Sequence, residues 1–347
     1  MTARWPEARR TSPPKKPRTV LDPPGLDGVE RKMARLASPF EGHDRVGAMA
    51  IEQLGAGGKR LRARLALAAA RTLRASWTDA IPWAAAVELL HNATLVHDDV
   101  QDGDRMRRGR PALWVRHGVP QALNAGNFML MLPYMALSEV SADRRAALCS
   151  ALAEHAIATV RGQVAELDLL PEERLDWASY VGAAAGKTGA MFSLPIVGSA
   201  ILAGKTPEEA AELGAPFTEL GVLFQIYDDV LDLYGDKGRE APGCDLYEGK
   251  VSALVVEHLE RRAADRSWLL ELLRAPREAT SPASVTRAIE SFRSSGAVAG
   301  AIAHMDFIAR RVTGSPALVA EPGLLAIATE LVERCQLPQA VELEGVA

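Results

Sequence analysis

One cluster of acidic residues, in the stretch HDDVQDGDRMRR, has a spacing that suits a metal ion. Asp98, Asp99 and Asp102 lie within about one helical turn, and two carboxylates about 4 Å apart repel by roughly 1 to 4 kcal/mol at surface-like dielectric. A divalent cation removes this cost, and Mg²⁺ prefers one or two carboxylates together with substrate phosphates. Arg107 and Arg108 could donate to those phosphates. The stretch therefore predicts either a site for a metal ion and phosphate groups or a solvated acidic helix end.

A second DDxxD pattern favours the metal site. Asp228, Asp229 and Asp232 repeat the spacing near the end of another long apolar helix, and two accidental copies in one chain are rare. Polar residues recur at helical spacing along both helices, and such stripes are costly to bury unless they face a ligand or each other. We therefore expect them to line one cavity, with the acids at its mouth. The stripes are His91, Thr94, Asp98 and Asp102 on the first helix, and Gly221, Gln225, Asp228 and Asp232 on the second.

Basic residues elsewhere are candidates for binding anionic groups in that cavity. Lys59 and Arg62, in GGKRLR, stand at a predicted helix start, where backbone amides and the helix dipole favour an anion, although a solvated helix start is the simpler alternative. Lys187 and Thr188 interrupt an apolar region, where a buried lysine requires an anionic partner. Lys250, in EGK, is either a further ligand or an ordinary surface lysine.

The elements that position these residues are predicted to be helices. From about residue 28 the chain is rich in Ala, Leu, Glu and Arg, is punctuated by Gly and Pro, and shows no alternating strand pattern. With 347 residues and 48% hydrophobic composition it can bury a large core. We expect an all-α fold, in which residues 28–347 form one large helical bundle with a central cavity. Residues 1–27 are Pro-rich and basic and are predicted to be a disordered tail.

The composition excludes several classes of function. The formal net charge of −4 argues against a nucleic-acid partner, which usually requires a basic surplus. The three cysteines lie far apart without CxxC spacing, so neither a disulfide framework nor a zinc site is indicated, and a reducing cytoplasm is expected. No apolar run approaches the roughly 18 residues of a membrane span. The most apolar stretch, residues 128–137, is interrupted by Pro133.

Five motifs together resemble those of the trans-isoprenyl (polyprenyl) diphosphate synthases. They are, in order, GGKRLR, ELLHNATLVHDDVQDGDRMRRGRP, GKTGAMF, FQIYDDVLD and DLYEGK, and the resemblance covers about residues 45–260. It implies a helical fold of the isoprenoid synthase type, usually a homodimer. It also implies that isopentenyl diphosphate is condensed with an allylic diphosphate, namely dimethylallyl, geranyl or farnesyl diphosphate.

The resemblance implies roles for the residues named above. The six aspartates would hold Mg²⁺, three ions per active site with Mn²⁺ as a substitute, and Lys187 and the aspartates other than Asp232 would be catalytic. Ionising the allylic substrate needs the departing charge neutralised and the cation kept from water, and it needs no side-chain nucleophile. Contacts to the allylic diphosphate or its departing charge are implied for Arg107, Lys187, Thr188, Gln225 and Lys250, and contacts to isopentenyl diphosphate for Lys59, Arg62, His91 and Arg108.

The chain departs from the family pattern in the loop after the second motif. Glu240 and Ala241 stand where the family usually has a Gly-Lys pair, so one lysine contact to diphosphate is missing. Lys237 or Arg239 could replace it. Ala63 ends GKRLRA where the family reads GKRLRP. These differences leave the predicted metal ligands intact.

Two small residues before the first motif predict the length of the product. In the resembled family, bulky aromatics just upstream of this motif stop chain growth at farnesyl length, whereas here the residues are Ala93 and Thr94. We therefore expect geranylgeranyl diphosphate, with longer chains as the alternative. A class I terpene cyclase normally lacks the second DDxxD and the GGKR and RRG features. A catalytically silent subunit of a heteromeric synthase normally loses aspartates from the motifs, so both alternatives are disfavoured.

Overall fold

The computed structural model describes residues 19–38, 44–233 and 242–337. Within these ranges the chain is helical almost throughout, which confirms the predicted all-α fold. The only strands in this part of the chain are Met106–Arg107 (β1) and Arg110–Pro111 (β2), which pair antiparallel as a short hairpin. The first seven helices are α1 (Leu26–Ala37), α2 (Arg45–Gly55), α3 (Leu61–Thr72), α4 (Trp77–Gln101), α5 (Leu113–His117), α6 (Val119–Leu137) and α7 (Ala142–Leu169).

The rest of the fold continues as helices joined by turns. One π-helical turn, Ala185–Gly189, joins the eighth helix to the ninth, and 3₁₀ turns occupy Ala263–Asp265 and Arg277–Ala279. The remaining helices are α8 (Trp177–Ala184), α9 (Ala190–Leu202), α10 (Pro207–Asp232), α11 (Cys244–Tyr247), α12 (Ala253–Arg261), α13 (Arg266–Arg274), α14 (Pro282–Ser294), α15 (Ala297–Thr313), α16 (Pro316–Val319) and α17 (Pro322–Arg334).

Helix α10, which ends at the second DDxxD pattern, begins at a capping box. The Glu209 N–H donates to Thr206 Oγ1 at 3.2 Å, and the Thr206 N–H donates to Glu209 Oε2 at 2.8 Å. The two side chains therefore satisfy backbone donors that a helix start otherwise leaves without partners. Pro207 occupies the first turn, where its missing N–H costs nothing.

The motif helices are held by two apolar cores. Helix α4 packs against α3, α6 and α9, and α10 packs against α9 and α15. Trp83, Phe192 and Phe217 are fully buried in one core, and Phe292 is fully buried in the other. Burying a side chain of this size stabilises the fold by roughly 1.5 to 3 kcal/mol. The ends of α4 and α10 are thus carried on rigid supports.

One helical stretch has the length and composition of a membrane span. Residues Trp177–Leu202 comprise α8, the π turn and α9, with a mean hydropathy of 1.2 over the most apolar window. However, 78% of that window is buried inside the fold. Its place between other helices accounts for its apolar composition.

The folded part of the chain starts earlier than predicted. Leu21 is fully buried, its N–H donates to Glu330 Oε2 at 3.1 Å, and its carbonyl accepts from Arg64 Nη1 at 3.2 Å. Helix α1 then begins at Leu26. The predicted disordered tail of residues 1–27 is therefore wrong for residues 19–27, because the Pro-rich average conceals single apolar residues that pack against the core. Residues 1–18 lie outside the described ranges, and their disorder stays a prediction.

Glycines allow three helical segments to meet at the π turn. A Cβ on Gly162 of α7 would lie 2.0 Å from the Lys187 backbone nitrogen, and a Cβ on Gly221 of α10 would lie 2.4 Å from Gly189 Cα. Gly221 was expected to line the cavity as part of the α10 stripe. That expectation is wrong, because Gly221 lies at this helix contact. The close approach fixes the π turn, which carries Lys187, between α7 and α10.

Candidate active site

The structure brings the two predicted polar stripes together around one cavity. Helix α4 contributes His91, Thr94, Asp98 and Asp102, and α10 contributes Gln225, Asp228 and Asp229. Residues from α7, α8, the π turn and the segment before α12 form a further part of the wall. These are Thr159, Glu166 and Leu169, Tyr180, Ala183 and Ala184, Lys187 and Thr188, and Lys250, Val251 and Ser252.

Two of the six predicted metal ligands do not line this cavity. Asp99 is only 2% exposed, and its Oδ1 accepts from Arg107 Nε at 2.7 Å. Asp232 is 3% exposed, and its Oδ2 accepts from the Asp245 N–H at 3.0 Å. Asp99 points about 100° around the helix from Asp98 and away from the cavity. Asp232 is the last residue of α10, and its carboxylate is directed to the backbone of the next segment. Asp99 instead holds the β1–β2 hairpin, and Asp232 holds the segment that leads into α11.

The acids that face the cavity differ in their proton affinity. Burial raises the pKa of Asp98 to about 6; Lys187 opposes this shift and Asp102 adds to it. Burial also favours a higher pKa for Asp102, but Lys250 and Lys187 bring it below its usual value. The positive charge near Asp98 is therefore too small to offset the effect of burial, whereas the lysines beside Asp102 are sufficient to do so.

Two lysines enter the cavity paired with carboxylates, and of these partners the sequence predicted only Asp102 as a site residue. Lys187 forms an ion pair with Glu166 of α7. Lys250 Nζ lies 2.8 Å from Glu248 Oε2 and 3.1 Å from Asp102 Oδ2. Burial would lower the pKa of Lys250, but Glu248 and Asp102 raise it well above its usual value. Lys250 is therefore a charged residue of the site, which excludes the alternative of an ordinary surface lysine.

A hydrogen-bonded chain joins the π turn to the second motif. Thr188 Oγ1 donates to Gln225 Oε1 at 3.0 Å, and Gln225 Nε2 donates to Asp229 Oδ1 at 3.0 Å. Asp229 Oδ2 accepts from the Tyr180 hydroxyl at 2.7 Å and from the Ala253 N–H at 2.8 Å. Burial, together with Asp229, raises the pKa of Tyr180 well above its usual value, so its hydroxyl stays a donor. Tyr180 was missed because one tyrosine in an apolar helix resembles an ordinary core residue.

A second pocket adjoins the first and contains the residues implied for isopentenyl diphosphate. Lys59, Arg62, His91 and Arg108 all line it, and Arg62, His91 and Phe224 belong to both pockets. The Arg108 guanidinium donates to the Gly57 carbonyl, and a Cβ on Gly58 would lie 2.5 Å from Arg108 Cζ. The two glycines of GGKR thus make room for this arginine. The remaining lining residues are Ala56, Gly58, Arg60, Leu61 and Glu88.

Burial sets the charge state of the second pocket. Burial lowers the pKa of Arg62 to about 10, and Glu88 limits the shift. Burial and the charges of Arg62 and Arg108 hold the pKa of His91 well below its usual value. The pocket therefore presents charged guanidinium groups beside a neutral imidazole, a donor set that suits a diphosphate.

The oxygen ligands fit Mg²⁺ held partly by substrate. Within the described ranges, no group of three or more His, Cys, Asp or Glu side chains is placed so that it could hold a metal ion. Mg²⁺ usually takes one or two carboxylates and fills its coordination with water and substrate phosphates. Asp98, Asp102 and Asp228 line the cavity and supply such carboxylates from its two sides. Burial raises the pKa of Asp98 to about 6, so a nearby cation would favour its charged form.

The structure separates the two residues predicted to control product length. Thr94 lines the cavity together with Leu95. Ala93 is fully buried in the apolar core and does not line the cavity. A step of one residue turns a side chain by about 100° around a helix, which carries Ala93 to the face away from the stripe. The prediction that Ala93 lines the cavity is wrong. The predicted replacement of the loop lysine by Lys237 or Arg239 lies outside the described residues.

Comparisons with known proteins identify the family. Residues 43–292 match the polyprenyl synthetase family model. The chain is 33% identical over 289 residues to the short chain isoprenyl diphosphate synthase of Methanothermobacter thermautotrophicus, covering 80% of this chain and 87% of that protein. It is 33% identical over 295 residues to the geranylgeranyl diphosphate synthase of Mycobacterium tuberculosis, covering 81% of each. The polyprenyl synthase of Caulobacter crescentus, solved with calcium and isoprenyl diphosphate, has a TM-score of 0.78 at 26% identity, covering 89% of this chain and 93% of that one.

The family match coincides with the site described above. Residues 43–292 include both DDxxD patterns and every residue that lines the two pockets. Sequence, fold and the position of the cavity therefore agree. The chain belongs to the polyprenyl synthetase family and is a trans-prenyltransferase.

Proposed function

We propose that this protein is a Mg²⁺-dependent synthase that condenses isopentenyl diphosphate with an allylic diphosphate to form geranylgeranyl diphosphate. The observation that carries the proposal is the pair of adjoining pockets that share Arg62, His91 and Phe224. One pocket combines aspartates with lysines, as a metal-bound diphosphate requires. The other is lined by arginines and a lysine, as a second diphosphate requires. Two diphosphates bound side by side place their hydrocarbon groups close enough to react.

The first pocket would hold the allylic diphosphate. Asp98, Asp102 and Asp228 would hold Mg²⁺, which when bound neutralises the charge of the departing diphosphate. The Caulobacter crescentus relative was solved with calcium and isoprenyl diphosphate, which supports a divalent cation here. Arg107, Lys187 and Lys250 lie in the same wall and would donate to the diphosphate oxygens. We propose three ions per active site, with Mn²⁺ as a substitute.

Ionisation would break the bond between the allylic carbon and the diphosphate oxygen. The leaving diphosphate keeps the electron pair, and the cation remains beside Thr188 and Gln225. Gln225 donates an amide N–H to Asp229, and Thr188 donates its hydroxyl hydrogen to Gln225 Oε1, so the oxygens of both side chains keep lone pairs for the cavity wall. Leu95, Met191 and Phe224 supply apolar wall that keeps water from the cation.

The second pocket would hold isopentenyl diphosphate. Lys59, Arg62 and Arg108 would bind its phosphates, and the neutral His91 would donate one further hydrogen bond. The alkene attacks the allylic cation and forms the new carbon–carbon bond. The resulting cation then loses a proton to the departed diphosphate, which leaves a double bond in the product.

A product of geranylgeranyl length is supported by the small Thr94 in the cavity wall and by the geranylgeranyl diphosphate synthase of Mycobacterium tuberculosis among the relatives. Longer chains remain the second candidate. The experiment is to incubate purified protein with Mg²⁺, isopentenyl diphosphate and each allylic diphosphate, and to measure product length. Consumption of an allylic diphosphate without isopentenyl diphosphate would indicate a cyclase. No reaction with any primer would contradict the proposal.

We also propose a homodimer that works in the cytoplasm. Three free cysteines fit a reducing compartment. Exposed apolar side chains recur at helical spacing on α6 and α7, as expected of an interface. This face comprises Leu123, Met131, Tyr134 and Met135 of α6 and Ile157, Val160, Val164 and Leu167 of α7.

Sedimentation experiments test the dimer. Val160→Glu should yield monomers, whereas Phe307→Glu, which lies outside this face, should not. A monomeric wild type would contradict the proposal.

A further inference from the structure

The carboxylate of Asp229 is surrounded by donors from three helices. Its Oδ2 accepts from the Tyr180 hydroxyl of α8 at 2.7 Å and from the Ala253 N–H at the start of α12 at 2.8 Å. Its Oδ1 accepts from Gln225 Nε2, one turn earlier on α10, at 3.0 Å. Asp229 is 4% exposed. A carboxylate has about four lone-pair sites, and three of them are used by these protein donors.

This arrangement determines which end of the Gln225 amide faces the reaction. A carboxylate accepts hydrogen bonds and cannot donate them, so the amide nitrogen of Gln225 must face Asp229. The amide oxygen then faces Thr188, which donates to it at 3.0 Å. If the amide turned over, its hydrogens would face a developing cation and repel it. The orientation of Asp229 therefore decides whether the cavity wall favours or opposes ionisation.

We propose that Tyr180 is a positioning residue for ionisation of the allylic substrate: its hydroxyl orients Asp229, and Asp229 holds the Gln225 amide with its oxygen toward the cavity. The inference rests on the proposed function, because it gives Tyr180 a role in that reaction. Tyr180 contacts Asp229 across 49 residues of sequence, and its ring packs edge-on against Trp177 at 5.5 Å. The hydroxyl is thereby held in place by a rigid aromatic pair.

The first test is Tyr180→Phe, which removes only the hydroxyl. Loss of a group that orients a site residue typically costs about 10- to 100-fold in activity, so kcat should fall by about that factor. The Michaelis constants of both diphosphates should stay within about threefold, because the groups that bind phosphate are untouched. Binding of an unreactive allylic thiolodiphosphate with Mg²⁺, measured by calorimetry, should be unchanged. Tyr134→Phe makes the same chemical change on the apolar α6 face, outside the cavity, and should keep the wild-type kcat.

A double-mutant cycle separates positioning from a general structural effect. Gln225→Met removes the amide, so adding Tyr180→Phe to it should lower kcat by less than about twofold. Effects that multiply fully would overturn the proposal, because Tyr180 would then act independently of Gln225. An unchanged kcat in Tyr180→Phe alone would also overturn it.

A second variant removes a different donor to the same oxygen. Ala253 is the first residue of α12, where proline is tolerated, so Ala253→Pro deletes the N–H with little cost to the helix. It should lower kcat at unchanged Michaelis constants. If Tyr180→Phe fails to fold, this variant tests the proposal in its place. The wild type is assayed first: a wild type without synthase activity refutes the proposed function and this inference together. An active wild type with unaffected variants refutes the inference alone.

Discussion

The contact between α7 and the π turn makes a demanding prediction for Gly162→Ala. A Cβ at this position would lie 2.0 Å from the Lys187 nitrogen and 2.4 Å from the Gly186 carbonyl carbon, whereas real Cβ contacts essentially never fall under 3.0 Å. The nearest atoms are backbone, so α7 and the π turn must separate by about 1 Å. Forcing extra volume into a packed contact costs roughly 1 to 3 kcal/mol in the free energy of unfolding.

The same displacement shifts Lys187 relative to the proposed diphosphate site. A misplacement of about 1 Å can cost on the order of 100-fold in rate, so kcat should fall by about that factor. The matched control is Gly182→Ala in α8, where an added Cβ meets no atom within 4 Å. Because alanine favours a helix more than glycine does, the free energy of unfolding of that variant should rise by roughly 0.5 to 1 kcal/mol. Urea unfolding and steady-state kinetics measure both quantities. A Gly162→Ala protein as stable and active as Gly182→Ala would refute the packing argument.

Three further predictions follow from the site and the core. Asp98→Asn and Asp228→Asn should each lower kcat by several orders of magnitude with far-UV circular dichroism unchanged, and EDTA should abolish wild-type turnover; full activity in EDTA would contradict the metal hypothesis. Thr94→Phe should shorten the product toward farnesyl diphosphate in chromatography, whereas Ala93→Phe should mainly destabilise the core; the opposite pattern would reverse their assignment. Burial lowers the pKa of His155 in the folded state, so its contribution to stability is present above about pH 6.5 and declines as the pH falls below it. In His155→Gln, the urea concentration at the unfolding midpoint should therefore fall less between pH 7.5 and 5.5 than in the wild type. An equal fall in the two proteins would contradict this prediction.

Local patterns were sufficient to locate the chemistry. The DDxxD spacing and the polar stripes on the apolar motif helices both lie within a few helical turns of the chain. The polar stripes could be paired from sequence because an unpartnered stripe inside an apolar protein is costly. These features depend on residues three or four positions apart, so they can be recognised from the sequence alone.

The tertiary structure decided which way individual side chains point. Asp99 and Asp232 belong to the same motifs as Asp98 and Asp228, yet their carboxylates hold backbone and hairpin instead of lining the cavity. Ala93 and Thr94 are adjacent in sequence and point to opposite environments. One residue corresponds to about 100° around a helix, and only the packing of neighbouring helices defines which direction is the cavity.

The partners of the site residues were also beyond the reach of the sequence. Lys187 was predicted to need an anion, but the partner turned out to be Glu166 on another helix. Tyr180 reaches Asp229 across 49 residues, and neither belongs to a pattern that names the other. The sequence by itself determined the helices, the two acidic motifs and the kinds of charge that the site needs, because those are properties of short stretches. Tertiary structure alone decided which atoms meet, because that depends on helices packed from distant parts of the chain.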